Sequence, residues 1–313
     1  MNAVISIEQL ETILEVPRYK LIDAAQSIQE NVNVEFQKKK SGGIREICKP
    51  KYGLKKLLRR INKRIFQIPL PDYLQGSVPG HSPVTNAQIH VGQSVVIKLD
   101  IRDFYPSIHF TRVQRLLIEM GFSQEISQLL TRLVTFKGHL AQGFPTSSSI
   151  ANLVLASIAP RIEKLCLDHD LRFSFYQDDL TVSGRSRAVD IKKLFSTILR
   201  QEGFKINQKK LQVMMNTERQ EVTGLVVNKK VNISKDEYRN LRAILHQCRI
   251  NGLEVTALNA VEHNKVPEKV MKVEREKLPE RFKQHIYGRI LRAVEINPEK
   301  GKKLLAEYAS LFV

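Results

Sequence analysis

Three cysteines in 313 residues, Cys48, Cys166 and Cys248, are too few and too scattered for a disulfide framework or a zinc cluster. No apolar run reaches the length of a membrane-spanning helix, and charged residues stand near the N-terminus where a signal peptide would be apolar. A reducing, cytoplasmic setting with no membrane partner is expected. Low-complexity linkers and internal repeats are also missing, which argues against a solenoid or a string of tethered modules. Acid is the other shortage: 32 Asp+Glu face 50 Lys+Arg, a formal net charge of +18. A soluble chain this basic most often meets a polyanion, with nucleic acid first and an anionic membrane surface second. The 42% hydrophobic content is that of a globular protein with a sizeable core, and excludes disorder.

Against that scarcity of acid, the adjacent pair Asp178-Asp179 stands out. Phe173 to Val182 reads as strand, two-residue turn and strand, with both carboxylates at the turn. Two ionised carboxylates side by side repel, and a turn has no structural need of both. A hard divalent cation would relieve the repulsion, although for this stretch alone a solvated Asp-Asp turn is an equal alternative. A second apolar strand, Ser94 to Leu99, ends in Asp100. An acid at the end of a buried strand is costly unless paired or bound to metal. Phe104 and Tyr105 follow, placed to pack under a sugar or simply to join the core.

The remaining chain supplies a frame for these acids. Val32–Phe36 and Ile44–Cys48 alternate like paired strands around a glycine turn loaded with lysine. Such a hairpin could close over a triphosphate through Lys40 and Arg45, or be a solvated tip. Leu54 to Phe66 is a basic amphipathic helix whose cations either track a phosphate backbone or face water. Asn86 and His90 fall on a short helix. Two leucine-patterned helices, 111–120 and 124–134, precede a loop bearing Gln142-Gly143, and a long helix should run from Ser147 to about His169. Another helix spans Ala188 to Glu202, and the turn Gly203–Lys210 brings Lys209 and Lys210 forward. From Lys229 the character becomes helical and basic, with Ser234 capping a helix to about Cys248. The chain therefore divides into 1–228 and 229–313.

Five segments in order, LDIRDFYPSI, AQGFPTSSSIAN, FYQDDLTVSG, EGFKINQKKL and VTGLVVN, resemble the successive palm motifs of reverse transcriptases. The resemblance covers roughly residues 36 to 228. It implies an α+β right-hand polymerase fold: fingers, a palm of antiparallel sheet with helices, and an α-helical thumb. Within that group the chain looks most like the bacterial retron enzymes, through Asn86-Ala87-Gln88-Ile89-His90 and Val222-Thr223-Gly224. Two positions depart from the pattern: Gln177 stands where a small residue is usual, and Ser148 where proline is common.

Carried over residue by residue, the resemblance implies that Asp100, Asp178 and Asp179, with the backbone carbonyl of Ile101, bind two Mg²⁺. Lys210, or Lys209 in a shifted register, would protonate pyrophosphate. Tyr105 would exclude a ribose 2′-OH, making deoxynucleotides the substrates. Lys40, Arg45, Asp103, Gln142 and Gly143 would complete the nucleotide pocket. Asn86, His90, Gln177, Val222, Thr223 and Gly224 would meet primer or RNA. By the same resemblance the partners are a structured noncoding RNA, copied from an internal guanosine 2′-OH into a branched RNA–DNA, and an effector protein encoded nearby in antiphage defence. The alternatives are another prokaryotic reverse transcriptase, of group II intron or diversity-generating type, and an inactive RNA-binding protein on the same scaffold.

Overall fold

A computed structural model describes residues 6–39, 42–185 and 188–312. The chain forms two compact units, Met1–Glu218 and Arg219–Val313. The division falls ten residues before the boundary expected from the change in composition, so the Val222–Gly224 segment belongs to the second unit.

The first unit opens with α1 (Ile7–Leu14), α2 (Arg18–Gln26) and the antiparallel hairpin of β1 (Val32–Lys38) and β2 (Ile44–Pro50). Ser6 caps α1 in a reciprocal capping box with Gln9, as the spacing predicts. Helix α3 (Tyr52–Ile65) buries Leu54, Leu58, Ile61 and Ile65, and leaves most of its cations outside. Arg60 and Arg64 are taken by Glu15, so Lys55, Lys56, Arg59 and Lys63 make up its exposed basic face. The short α4 (Pro83–Ile89) starts at a Ser82 capping box with proline at its first turn.

The sheet that organises this unit has the order β6-β7-β3-β8, built from β3 (Val95–Asp100), β6 (Arg172–Tyr176), β7 (Asp179–Gly184) and β8 (Gln212–Met215). Every pairing in it is antiparallel. Strand β3 lies inside the sheet and is buried on both faces, which its Val-Val-Ile-Lys-Leu sequence allows. Strand β8 had no sequence signal of its own; pairing with β3 makes it a strand. The short α5 (Phe104–Ser107), α6 (Phe110–Glu119) and α7 (Gln124–Val134) follow β3. A short hairpin of β4 (Thr135–Phe136) and β5 (His139–Leu140) brackets the start of the loop expected at Lys137–Pro145. Helix α8 (Ser147–Asp168) is buried along much of its length, and α9 (Ala188–Gln201) adds Phe195 and Leu199 to the same core.

The second unit begins with a small hairpin of β9 (Glu221–Val222) and β10 (Leu225–Val226) and is otherwise helical. Its long helix α10 runs from Lys235 to Glu262, beyond the Cys248 end expected from sequence, through a kink at Gly252 with φ 78 and ψ 164. A glycine adopts that geometry without a Cβ clash, so the chain bends and resumes the helix. After α11 (Glu268–Met271), α12 (Leu278–Ile296) and α13 (Pro298–Phe312) pack against each other and α10. Among the described residues no helix is long and apolar enough to cross a membrane.

Candidate active site

The antiparallel register sets Asp100, the last residue of β3, directly opposite Asp179, the first residue of β7. Directly opposed residues project from the same face, so two carboxylates meet at one sheet end. Asp178 precedes them in the β6–β7 turn, where Gln177 adopts the left-handed region at φ 58. The turn is tied to β3 by a hydrogen bond from Ile101 N–H to the Asp178 carbonyl at 2.8 Å. Asn207 N–H donates to the Asp100 carbonyl at 2.8 Å, and Arg102 N–H to Lys205 at 2.7 Å, which brings the lysine-bearing turn alongside.

The acids are close enough to disturb one another. Burial, then the charge of Asp178, pushes the Asp179 carboxyl up to about 6. Asp178 is also raised, by burial first and by Asp100 among smaller causes, and Lys210 and Arg45 oppose the rise. Asp100 is 7% exposed and, among the described residues, carries the one direct ion pair of the cluster, Lys210 Nζ to Oδ1 at 2.5 Å. That hydrogen bond, more than anything else, raises the Lys210 ammonium above its usual range. Lys210, on a 3₁₀ turn at Gln208–Lys210, is therefore the lysine that reaches the acids.

The donor set suits a hard cation. It consists of oxygen ligands whose mutual repulsion a divalent charge would relieve. Among the described residues no group of three or more His, Cys, Asp or Glu side chains is placed to hold a metal ion. Magnesium rarely requires such a group, because it keeps several waters and is commonly held by one or two carboxylates plus substrate phosphates.

Of the expected nucleotide contacts, Tyr105 and Arg45 are within reach of the acids. Tyr105 is half-buried beside them; its hydroxyl donates to Gln177 Oε1 at 2.5 Å and lies 3.1 Å from Ser148 Oγ. Burial raises its phenol, and the Arg45 charge pulls it the other way. Arg45 is thus within electrostatic reach of both Tyr105 and Asp178. Gln142 accepts the Cys48 N–H at 2.8 Å through its carbonyl, locking its loop to β2. Gly143 sits at φ 115, and a Cβ there would come within 2.5 Å of the Cys48 carbonyl oxygen. Only glycine allows that approach. Asp103, also left-handed at φ 47, is held by Lys39 and Arg102, each at 3.3 Å. Lys39 was not among the expected contacts; Lys40, which was, lies outside the described residues.

Two expectations need correction. Asn86 and His90 are 0% exposed and cannot meet a primer or RNA. His90 Nε2 lies 2.8 Å from Ser174 Oγ, which itself donates to Asn86 Oδ1 at 2.7 Å. Ser183 Oγ lies 2.7 Å from Nδ1, so a serine hydroxyl meets each ring nitrogen. The network ties α4 to β6 and β7, the strands that flank the acidic turn. Val222 is likewise 0% exposed, inside the second unit; Thr223 and Gly224 form the β9–β10 turn with φ 49 and φ 79. The family resemblance had suggested a binding role for Asn86 and His90, whereas burial shows a bracing role, the one that lone Asn and His residues usually have.

The sequence profile of the family described as reverse transcriptase (RNA-dependent DNA polymerase) matches residues 37–247. The retron Mx65 reverse transcriptase of Myxococcus xanthus is 36% identical over 230 residues, 67% of this chain and 54% of that protein. The retron Ec86 reverse transcriptase of Escherichia coli is 31% identical over 65% of each chain. The retron Se72 reverse transcriptase of Salmonella heidelberg (strain 579083-10) is 31% identical over 80% of this chain and 69% of that one. The chain thus spans between about half and two thirds of the length of the curated relatives it matches. Among solved structures, telomerase from Candida albicans with a TWJ fragment of telomeric RNA aligns with 95% of this chain and 68% of that chain. Its TM-score is 0.47 and its sequence identity 12%.

Proposed function

Since the chain belongs to the reverse transcriptases, and among them to those of retrons, we propose that it is an RNA-directed DNA polymerase. It copies a structured noncoding RNA from an internal guanosine 2′-OH of that RNA, giving a branched RNA–DNA. The observation that carries the reading is the in-register pair Asp100–Asp179 with Asp178 at the turn and Lys210 on Asp100.

Phosphoryl transfer asks a protein for positioning and charge neutralisation more than for covalent chemistry. Asp100, Asp178 and Asp179, with the Ile101 carbonyl, would hold two Mg²⁺. When bound, those ions supply charge for the primer hydroxyl and for the leaving pyrophosphate. Arg45 binds triphosphate oxygens through its planar fork. Gln142 and Gly143 line the nucleotide site, where the glycine lets backbone come close. The Tyr105 ring fills the space that a ribose 2′-OH would need. Lys210 gives a proton to pyrophosphate. The exposed cations of α3 and of the second unit bind RNA phosphates and helical shape. Kinship with retron enzymes supports an effector protein encoded nearby, a role in phage defence and a cytoplasmic site of action as parts of the same reading.

The test uses nucleic acid that copurifies with the protein expressed from its own locus. RNase followed by debranching enzyme should shift the mobility of a short DNA, which identifies a 2′–5′ linkage. Linear DNA alone would keep the polymerase and refute the branched product. RNA without DNA, in Mg²⁺ and all four deoxynucleotides, would refute the polymerase. Asp178→Ala should abolish synthesis and leave RNA binding intact.

A further inference from the structure

The two positions that depart from the family pattern, Gln177 and Ser148, converge on one atom, the hydroxyl of Tyr105. They come from different elements, the β6–β7 turn and the first turn of α8. The donor accounting around that hydroxyl is fixed. Gln177 Nε2 donates to the Gly76 carbonyl at 2.7 Å, so its Oε1 is the atom turned to the tyrosine. The reversed amide would set two oxygens against each other at Gly76. Tyr105 accordingly donates to Gln177 and accepts from Ser148.

The far end of this chain of bonds is anchored too. Gly76 O also receives Asn152 Nδ2 from α8 at 2.9 Å. A Cβ on residue 76 would lie 2.4 Å from the Gln177 backbone nitrogen and 2.9 Å from its Cγ, so the glutamine is seated against a residue that must be glycine. The preceding residues are bonded to β6, with Gln75 N–H donating to Phe175 O at 2.8 Å and Phe175 N–H to Tyr73 O at 2.7 Å. The glutamine amide therefore has a fixed place from which to hold a ring.

We propose that Gln177 and Ser148 form a two-point polar clamp that immobilises Tyr105 and sets how strictly the enzyme refuses ribonucleotides. This rests on the reading of Tyr105 as the residue that meets the sugar. A ring free to swing leaves room for a 2′-OH at the cost of a rotamer change, whereas a ring held at its tip yields only by breaking hydrogen bonds. Gln177 and Ser148 are positioning residues in this scheme: they act through the tyrosine, without touching the nucleotide.

The experiment measures the ratio of kcat/KM for a deoxynucleotide over its ribonucleotide, on an RNA template with an annealed DNA primer. A merely structural defect lowers both values and leaves the ratio unmoved. Losing the Gln177 bond should cut the ratio about three- to tenfold in Gln177→Ala, the usual weight of one hydrogen bond. Tyr105→Phe, which keeps the ring and removes the hydroxyl, should lower it at least as much. Gln177→Ala added to Tyr105→Phe should then change the ratio no further. An undiminished effect of Gln177→Ala on the Tyr105→Phe background would overturn the clamp, because Gln177 would be acting directly on primer or nucleotide. An unchanged ratio in Gln177→Ala would overturn it as well. Tyr105→Ala separates the underlying reading: if discrimination survives without the ring, Tyr105 is not the sugar contact. A readout independent of turnover is the ¹⁹F spectrum of 3-fluorotyrosine protein. The Tyr105 line, assigned by its loss in Tyr105→Phe, should sharpen or split through faster ring motion in Gln177→Ala, and an unaltered line would count against the clamp.

Discussion

The buried histidine offers a quantitative test of the palm as a braced structure. Burial, with the charge of Arg172 as a lesser cause, lowers His90 from its usual 6.5 to about 3. A protonated ring would need both serine oxygens to accept at once. Between these two values the unfolded chain binds a proton that the folded chain refuses, so stability falls as pH drops below about 6.5. Going from about pH 7.5 to about pH 5 should remove roughly 2 kcal/mol, a factor of about 30 in the folding equilibrium. Asp179 works in the opposite sense: its folded value of about 6 exceeds the ordinary 3.8, so its proton uptake stabilises the metal-free fold as pH falls. The comparison must therefore be made against His90→Gln at each pH. Denaturant unfolding followed by far-ultraviolet circular dichroism should show the parent's advantage over the variant shrinking by roughly 2 kcal/mol over that interval. A constant difference would refute the buried, neutral assignment. Reduced RNA affinity in a normally stable His90→Gln would show instead that the residue meets nucleic acid.

Other perturbations follow from single contacts. Gly143→Ala places a Cβ against the Cys48 carbonyl at a positive φ, and should cost about 1–3 kcal/mol and raise KM for deoxynucleotides. Unchanged unfolding and KM would show that the loop does not hold this approach. Arg45→Ala should raise KM for the deoxynucleotide about tenfold or more, the usual weight of a charge-assisted bond, with a weaker dependence on salt. An unaltered KM would remove Arg45 from the triphosphate site.

Much of this site was legible because its chemistry is local in sequence. Asp178 and Asp179 are adjacent, Asp100 ends an apolar strand, and strand propensity alone placed the hairpin that carries two of them. The register that opposes Asp100 to Asp179 is a long-range fact, and only the ordered set of motifs hinted at it. Strand β8 was invisible for the same reason: Gln212–Met215 has no alternation, and its partner lies more than a hundred residues upstream. His90 was assigned to RNA through the family motif, against the core role usual for a lone histidine; two serine hydroxyls supplied from β6 and β7 favour the core role. Gln177 was visible as an oddity, but its consequence depends on Gly76, Tyr105 and Ser148, three residues that sequence order keeps far apart. Helix α10 runs past its expected end near Cys248, because Gly252 bends the chain and lets the helix continue.

The pair between Lys210 and Asp100 sets the lysine against a bound cation. Three carboxylates gathered at one sheet end need a counter-charge, and Lys210 provides one at 2.5 Å from Asp100. The same ammonium competes with a cation for the Asp100 carboxylate. Cation binding there therefore requires it to leave, and its departure opposes binding by the strength of the pair. Lys210 is half-exposed while Asp100 is nearly buried. The pair should consequently be worth about 0.5–1.5 kcal/mol, less than a fully buried bridge. Lys210→Ala removes that competition and should tighten divalent binding about two- to tenfold, read with Mn²⁺ by electron paramagnetic resonance in the absence of nucleotide. Polymerisation in the same variant should fall about 10²- to 10⁴-fold if the lysine is the acid. The two effects have opposite signs, so general damage to the palm cannot produce both. Weaker Mn²⁺ binding in Lys210→Ala would refute the competition, and undiminished synthesis would take the lysine out of the chemistry.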